Sequence, residues 1–241
     1  MKNIRYIFFD LDGTLLPMNT DDFIKLYFSE ITKKFSSTEF DPKIIIEGIN
    51  FGLKKMYEDT SDNLNEEPFW KGFEEKTEYL KNDVYDMFID FYSNEFLNLR
   101  DYCNDNGYSK LIVDELNDKG YKLILATNPL FPMVAQVSRA SLVGLSQNDF
   151  EYVTSMENSS KVKPNHQYFE EIISKLKLNN KEVLMVGNDV NDDMYAAKKA
   201  GIKTVLITDY LLNNHKIDID EFEKYSLEQF YKKIVKNIDA I

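Results

Sequence analysis

Short apolar runs alternate with helical patterns along most of the chain. Four runs have the length and the β-branched or aromatic content of buried strands. They are residues 4–9, 121–126, 182–186 and 203–207, and residues 152–155 form a weaker fifth. Helical spacing recurs in residues 110–119, 167–177 and 192–200. This alternation predicts an α/β fold built on a Rossmann-like parallel sheet.

Residues 20–99 interrupt the alternation. They are rich in Phe, Tyr, Glu and Lys at helical spacing, and few of their runs look like strands. We interpret them as a helical insertion whose aromatic stripes form its core, with a loop at residues 59–67. The chain then divides into a core domain, residues 1–16 and 100–241, and an inserted domain, residues 17–99. Residues 220–241 are predicted to form a helix packed on the sheet.

The composition is that of a globular protein whose partners are not polyanions. Of the 241 residues, 43% are hydrophobic and 14% aromatic, and the formal net charge is −12. This negative charge argues against binding to nucleic acid or to an anionic membrane. It is compatible with small phosphorylated molecules, provided that a metal ion and a local Lys supply positive charge.

The cysteine and histidine content indicates the cellular compartment and disfavours one class of hydrolytic site. Cys103 is the single cysteine, so no internal disulfide is possible and a reducing compartment is expected. The first strand starts close to Met1, and no apolar run reaches the roughly 18 residues of a spanning helix. We therefore expect a soluble cytoplasmic protein without a signal peptide. His166 and His215 are far apart, which makes a His-centred triad an unfavoured hypothesis.

Two carboxylates stand where the first strand ends. Asp10 and Asp12 are two residues apart, so both project from one side of the chain, and Gly13 lets the backbone turn close to a ligand. Close carboxylates repel each other unless a cation, a proton or donors compensate them. The pair suits a Mg²⁺ site with a nucleophilic carboxylate beside an acid/base carboxylate. A simple acidic turn is the alternative.

Polar residues also follow the second strand and the weaker fifth. Thr127 and Asn128 come where the second strand ends, and a hydroxyl there can bind a phosphoryl oxygen. Lys163 precedes Pro164, which favours an extended conformation that would hold an ammonium near a carboxylate or a phosphate. Lys161 is the alternative for this role.

A cluster of acidic residues follows the strand at 182–186. Asn188, Asp189, Asp192 and Asp193 stand at a predicted helix start. They either cap that helix or contribute to an oxygen-rich site for a hard cation. In an open parallel sheet the ligand crevice lies at the carboxyl ends of the strands, where this cluster and Asp10 would meet.

These four segments resemble the motifs of the haloacid dehalogenase-like (HAD) hydrolase superfamily, in its phosphatase type with a C1 cap. DLDGT at residues 10–14 is similar to the first motif, Thr127 to the second, Lys163 before Pro164 to the third and GNDVNDD at residues 187–193 to the fourth. The resemblance implies a HAD fold, with residues 17–99 as an α-helical cap inserted after the first strand.

The resemblance also implies roles. Asp10 would be the nucleophile and a Mg²⁺ ligand. Asp12 would protonate the leaving group and then activate water, with its main-chain carbonyl on the metal. The residues expected to bind the substrate are Thr14, Thr127, Asn128 and Lys163. An Asp at position 12 indicates a phosphatase or a phosphotransferase rather than a dehalogenase.

The fourth motif departs from the family pattern. Asn188 occupies the place where the family commonly has its first Asp, Asp189 the place of a Ser, and Asp193 the place of the second Asp. Either the Asn188 amide binds Mg²⁺, or the loop shifts and Asp189 does. We favour Asp189, because hard cations bind carboxylates more strongly than amides. The expected metal ligands are Asp10, Asp12, Asn188, Asp189 and Asp193.

The leading hypothesis is a Mg²⁺-dependent phosphatase that hydrolyses small phosphorylated metabolites through an aspartyl-phosphate intermediate. A phosphotransferase or mutase acting on sugar phosphates has the same core motifs and is the first alternative. The second is a catalytically weak HAD-like binding or regulatory protein, which the substitution at Asn188 motivates.

Overall fold

The protein is described by a computed structural model that covers residues 3–105 and 107–240, with side chains up to residue 238. The outer ends of the expected core domain, at residues 1–2 and 241, lie outside this range. No helix in the described ranges is both long and apolar enough to cross a membrane.

Six parallel strands form one sheet within these residues. They are β1 (Tyr6–Phe9), β2 (Lys122–Leu125), β3 (Tyr152–Val153), β4 (Val183–Gly187), β5 (Lys203–Ile207) and β6 (Glu223–Tyr225). Their order across the sheet is β3-β2-β1-β4-β5-β6. The predicted α/β class with a parallel sheet is therefore confirmed. Since β1 pairs with both β2 and β4, the strand order reverses there, and such a reversal opens a crevice at the carboxyl ends.

Four α-helices follow β1 in residues 20–93: α1 (Thr20–Phe35), α2 (Pro42–Glu58), α3 (Glu66–Thr77) and α4 (Lys81–Ser93). A 3₁₀ helix, Glu95–Tyr102, follows them. We call residues 20–102 the helical insertion. The Asn19 side chain accepts hydrogen bonds from two backbone N–H groups of α1, and the Asp41 side chain accepts one from the Lys43 N–H of α2.

The other helices flank the sheet. They are α5 (Tyr108–Asp118), α6 (Met133–Ser141), α7 (Gln167–Leu176), α8 (Ala196–Lys199) and α9 (Leu227–Lys233). Short 3₁₀ helices span Gln147–Asp149, Asn180–Glu182 and Val235–Ala240, and a π-helical turn, Val190–Tyr195, precedes α8.

Side chains alternate between the two faces of the sheet. Phe8 packs into one hydrophobic cluster with residues of α7 and α8, while Phe9 packs into the other. The second cluster continues into the helical insertion, where Phe131, after β2, makes ring contacts with Phe23 and Tyr27 of α1. The insertion and the sheet thus share one apolar core.

Two predicted elements differ from the structure. The helix predicted for residues 220–241 was wrong in its first part, since Glu223–Tyr225 forms the edge strand β6 on β5 and only Leu227–Lys233 is α-helical. The short, charged sequence of this edge strand has no apolar run to mark it. The helix predicted for residues 192–200 begins instead as a π-helical turn.

Candidate active site

The candidate residues gather at the carboxyl ends of β1, β2 and β4. Asp10 follows β1 directly, its N–H donates to the Val186 carbonyl at 2.9 Å, and its side chain is buried. Asn188 follows β4 directly and is 1% exposed. Thr127 lies two residues beyond β2, where its carbonyl accepts hydrogen bonds from Thr154 and Tyr168. Three separate strands therefore deliver polar side chains to one edge of the sheet.

Lys163 forms the centre of the charge arrangement. Its Nζ lies 2.9 Å from Asp10 Oδ1 and 2.7 Å from Asp193 Oδ1, and the side chain is almost fully buried. Burial alone lowers the pKa of Lys163, but the two carboxylates outweigh it, so that the pKa stands well above its usual value. Burial and, to a smaller extent, the charge of Asp10 raise the pKa of Asp193, whereas the charge of Lys163 lowers it. The ammonium is thus charged and shared by two acids.

Asn128 helps to hold Lys163 in place. Its Oδ1 accepts a hydrogen bond from the Lys163 N–H at 3.2 Å, and its Nδ2 reaches the Lys163 carbonyl at 3.5 Å. The same Nδ2 lies 3.4 Å from the hydroxyl of Tyr57 on α2, which links this loop to the helical insertion. Lys161, the alternative candidate, binds Asp62 of the insertion at 3.0 Å. The structure therefore brings Lys163, and not Lys161, to Asp10.

Thr14 connects the first and fourth motifs. Its hydroxyl donates to Asn188 Oδ1 at 3.2 Å and lies 3.5 Å from Asp10 Oδ2. Asn188 Nδ2 in turn donates to the Tyr210 carbonyl at 2.6 Å. Gly13 has a φ of +77°, and a Cβ there would lie 2.2 Å from Asn188 Nδ2. Glycine is required at this position for both reasons.

Asp189 faces away from this group. Its Oδ1 accepts hydrogen bonds from the N–H groups of Asn191 and Asp192, both at 2.8 Å, so it caps the π-helical turn. Its own N–H donates to Asp193 Oδ2 at 3.0 Å. The geometry thus puts the Asn188 amide, and not the Asp189 carboxylate, beside Thr14 and Asp10. It does not support the preference for Asp189 drawn from the sequence.

Asp12 has a cationic partner that the sequence did not indicate. Its Oδ2 forms an ion pair with Nη1 of Arg139, on α6, while its Oδ1 is buried without a hydrogen-bond partner. Arg139 also binds Gln136 and lies over the Phe131 ring at 4.6 Å. Burial raises the pKa of Asp12, and the charge of Arg139 opposes this rise. Burial and the guanidinium therefore act on the Asp12 pKa in opposite directions, and burial has the larger effect.

A sequence signal for Arg139 exists in retrospect. Ala135, Gln136, Arg139 and Ala140 are buried and lie on one face of α6. An arginine on the buried face of an amphipathic helix needs an anionic partner nearby. The sequence alone does not say which acid, because Asp12 is 127 residues away along the chain.

The donors at this edge suit a hard cation, although carboxylates are few. Among the described residues, no three carboxylate, His or Cys side chains converge as a metal centre. Asp10 Oδ2 and Asn188 Oδ1 nevertheless both approach the Thr14 hydroxyl. Three carboxylates, Asp10, Asp12 and Asp193, face two cationic side chains, Lys163 and Arg139. Carboxylate and amide oxygens are donors that fit Mg²⁺.

Known proteins are similar to this chain in sequence and in fold. The sequence profile of the haloacid dehalogenase-like hydrolases matches residues 7–207. A glyceraldehyde 3-phosphate phosphatase of Methanothermobacter thermautotrophicus is 30% identical over 140 residues, which is 58% of either chain. Pyrophosphatase PpaX of Bacillus cereus is 24% identical over 85% of this chain and 83% of its own.

A solved structure agrees in fold. The crystal structure of a predicted phosphoglycolate phosphatase from Haemophilus somnus superposes with a TM-score of 0.56 at 22% identity, over 96% of this chain and 98% of the other. At this identity the likeness concerns the fold alone. The profile match covers most of the chain, and it confirms the resemblance drawn from the four motifs. The chain belongs to the haloacid dehalogenase-like hydrolase family.

Proposed function

We propose that this hydrolase is a Mg²⁺-dependent phosphatase of small phosphorylated molecules, with Asp10 as its nucleophile. One observation carries the proposal: a buried ammonium, Lys163, binds Asp10, while a second carboxyl, Asp12, lies two residues away with its own cationic partner. Phosphoryl transfer needs positive charge around the transferring group and a separate acid for the leaving group. Phosphatases among the similar proteins support the same assignment.

In the first step, a carboxylate oxygen of Asp10 attacks the phosphorus of the substrate. The bond between phosphorus and the leaving-group oxygen breaks, and Asp12 gives its proton to that oxygen. The burial that raises the pKa of Asp12 favours the protonated form needed here. Asp10 then carries the phosphoryl group, so the reaction is divided into two easier steps.

In the second step, a water molecule attacks the phosphorus of the aspartyl-phosphate. Asp12, now ionised beside Arg139, takes a proton from that water, and the bond between phosphorus and Asp10 breaks. Free phosphate leaves and Asp12 is protonated again. The guanidinium stabilises the ionised form of Asp12 that this step requires.

Lys163 and Thr127 would bind the phosphoryl oxygens, and Asp193 would act by holding Lys163 in place. The residues proposed to hold the metal are Asp10, Asn188 and the main-chain carbonyl of Asp12, while Asp189 caps the turn. When bound, Mg²⁺ supplies positive charge that offsets the charge of the phosphoryl oxygens.

We further propose that residues 17–99 act as a cap domain over the site. The contact between Tyr57 of α2 and Asn128 supports this assignment, since it joins the helical insertion to the loop that holds Lys163. A cap in this position limits the access of water during the first step.

The test is phosphate release from p-nitrophenyl phosphate with Mg²⁺, with EDTA, and in the variant Asp10→Asn. We expect release that needs Mg²⁺ and disappears in the variant. Asp41→Asn is the matched control, because the same change at the cap of α2 leaves a side chain that also caps helices. An active Asp10→Asn enzyme would refute the mechanism.

A further inference from the structure

A cavity of about 250 Å³ opens beside Asp12, between the helical insertion and the carboxyl end of the sheet. Of its 21 lining residues, nine are aromatic and seven are aliphatic, methionine or proline. The aromatic residues include three tyrosines, and the five remaining residues are Asp12, Thr20, Asn50, Glu66 and Glu157. The hydroxyls of Tyr27 and Tyr92 are hydrogen-bonded to each other. The acid that would protonate the leaving group therefore faces a largely apolar chamber.

No Lys or Arg lines this cavity in the described part of the chain. The cations close to it are already paired: Lys81 lies 3.2 Å from Glu66, and Arg139 binds Asp12. Glu157 accepts hydrogen bonds from the Met133 N–H at 3.0 Å. A second phosphate or a carboxylate on the leaving group would find no free positive charge here.

A sugar or nucleoside leaving group would also bind weakly in this cavity. Its hydroxyl groups would lose water on entry, and an apolar wall returns few hydrogen bonds, so that each unpaired group costs free energy. An apolar group instead gains from leaving water, in proportion to the area that it buries.

We propose that the preferred substrates are phosphate monoesters of apolar alcohols, with the ester oxygen at Asp12 and the hydrocarbon group in this cavity. The proposal rests on the phosphatase function proposed above. A cavity of about 150 Å³ holds one benzene ring, so the space here fits a six-membered ring with a short chain. The substrate class is thus the phenylalkyl or similarly sized alkyl phosphates.

The main experiment compares three esters of primary alcohols, whose leaving groups react similarly: 2-phenylethyl phosphate, ethyl phosphate and glycerol 3-phosphate. We expect kcat/KM for 2-phenylethyl phosphate to exceed the other two by about 50-fold or more, since a buried phenyl ring adds several buried CH groups. Equal or higher kcat/KM for glycerol 3-phosphate would overturn the proposal and leave the phosphatase function standing.

A charge placed at the rim of the cavity provides a second test. Ile24 lines the cavity and is 44% exposed, so Ile24→Lys introduces a cation without burying it. We expect a loss of about 10-fold in kcat/KM for 2-phenylethyl phosphate and a gain for propane-1,3-diyl bisphosphate. Leu111→Lys is the matched control, because Leu111 is a helical residue that is 48% exposed and does not line the cavity. Equal effects of the two variants would overturn the proposal.

Binding can be followed apart from catalysis. Trp70 is the single tryptophan of the chain, lines the cavity and is buried. We expect 2-phenylethylphosphonate, which cannot be hydrolysed, to shift Trp70 emission at lower concentration than methylphosphonate does. Emission that responds equally to both would contradict the proposal. Failure to release phosphate from any ester, p-nitrophenyl phosphate included, would refute the phosphatase function and the substrate assignment together.

Discussion

Asp10 and Asp12 are two residues apart, yet each faces a different cation. Asp10 binds the ammonium of Lys163, while Asp12 binds the guanidinium of Arg139. The difference in environment separates the two roles that the mechanism needs, because a nucleophile must stay ionised and a general acid must hold a proton. Residue pairs, rather than single residues, therefore define this site.

Removing the guanidinium tests the role of Asp12. Arg139 opposes the rise of the Asp12 pKa, so Arg139→Gln should raise that pKa further and keep Asp12 protonated to higher pH. We expect the alkaline limb of the kcat/KM profile to move to higher pH, and kcat to fall by about 10-fold or more because the ionised form is lost in the second step.

Arg100→Gln is the control for this change. Arg100 donates a hydrogen bond to the Ser141 carbonyl and makes no contact with Asp12, so its removal should leave the pH profile unchanged. Circular dichroism and thermal unfolding verify that Arg139→Gln is folded. A folded Arg139→Gln enzyme with the original pH profile would exclude this role for Arg139.

Stability should also depend on pH through Lys163. Burial raises the pKa of Asp193 in the folded protein above its value in the unfolded chain. The folded state therefore favours the neutral carboxyl, and the stability that this protonation contributes is lost as the pH rises through the folded pKa. Lys163 offsets that loss by its charge. Lys163→Met should therefore lower the free energy of unfolding by about 3 kcal/mol at neutral or higher pH, and by less in acid.

Urea unfolding at about pH 5 and about pH 8 measures the difference. The double variant Lys163→Met/Asp193→Asn also removes one of the two acids that pair with Lys163, and we expect it to regain part of the loss at the higher pH. A loss of equal size at both pH values would contradict the coupling between Lys163 and Asp193.

At the scale of elements, the neighbouring residues Asn188 and Asp189 in the turn after β4 have different roles. Asn188 offers its amide oxygen to the site and its Nδ2 to the Tyr210 carbonyl, whereas Asp189 caps the π-helical turn. A carboxylate at position 188 would face that carbonyl without a donor. The amide therefore serves the stability of the turn, although it binds a cation less strongly than a carboxylate does.

The effect of Mg²⁺ on thermal stability distinguishes the role of Asn188 from that of Asp189. Asn188→Asp should lower the melting temperature without Mg²⁺ and give a larger rise on addition of Mg²⁺ than the wild type does. Asp189→Ala should cost about 1 kcal/mol through the lost cap, with an unchanged Mg²⁺ effect. Thermal unfolding with and without Mg²⁺ measures both. A Mg²⁺ effect that is lost in Asp189→Ala and kept in Asn188→Asp would restore Asp189 as the ligand.

Elements with a strong local signal were the ones that the sequence predicted. Apolar runs mark the strands β1, β2, β4 and β5, because these strands are fully or largely buried. The edge strand β6 (Glu223–Tyr225) is exposed to solvent and has no such run. The site divides in the same way. Motif positions such as Asp10 and Lys163 came from local patterns, whereas the direction of the Asp189 side chain depends on backbone geometry. Arg139 depends on a long-range contact.

At the scale of the molecule, the helical insertion is joined to the sheet by an aromatic contact region. The Phe131 ring, in the loop after β2, lies 6.2 Å from Phe23, 5.5 Å from Tyr27 and 6.3 Å from Phe96 by ring centroids. The same rings belong to the wall of the cavity or lie next to it. The contact that joins the two parts thus also shapes the chamber beside Asp12.

Because one apolar core spans both parts, we expect the chain to unfold in a single transition. Trp70 reports on the insertion and far-ultraviolet circular dichroism on all helices, so their urea curves should coincide. Phe131→Ala removes the shared ring, at a cost of about 3 kcal/mol, and should separate the two curves. Phe222→Ala is the matched control, since Phe222 packs on the other face of the sheet, and its curves should shift together. Two separate transitions in the wild type would show that the insertion unfolds independently.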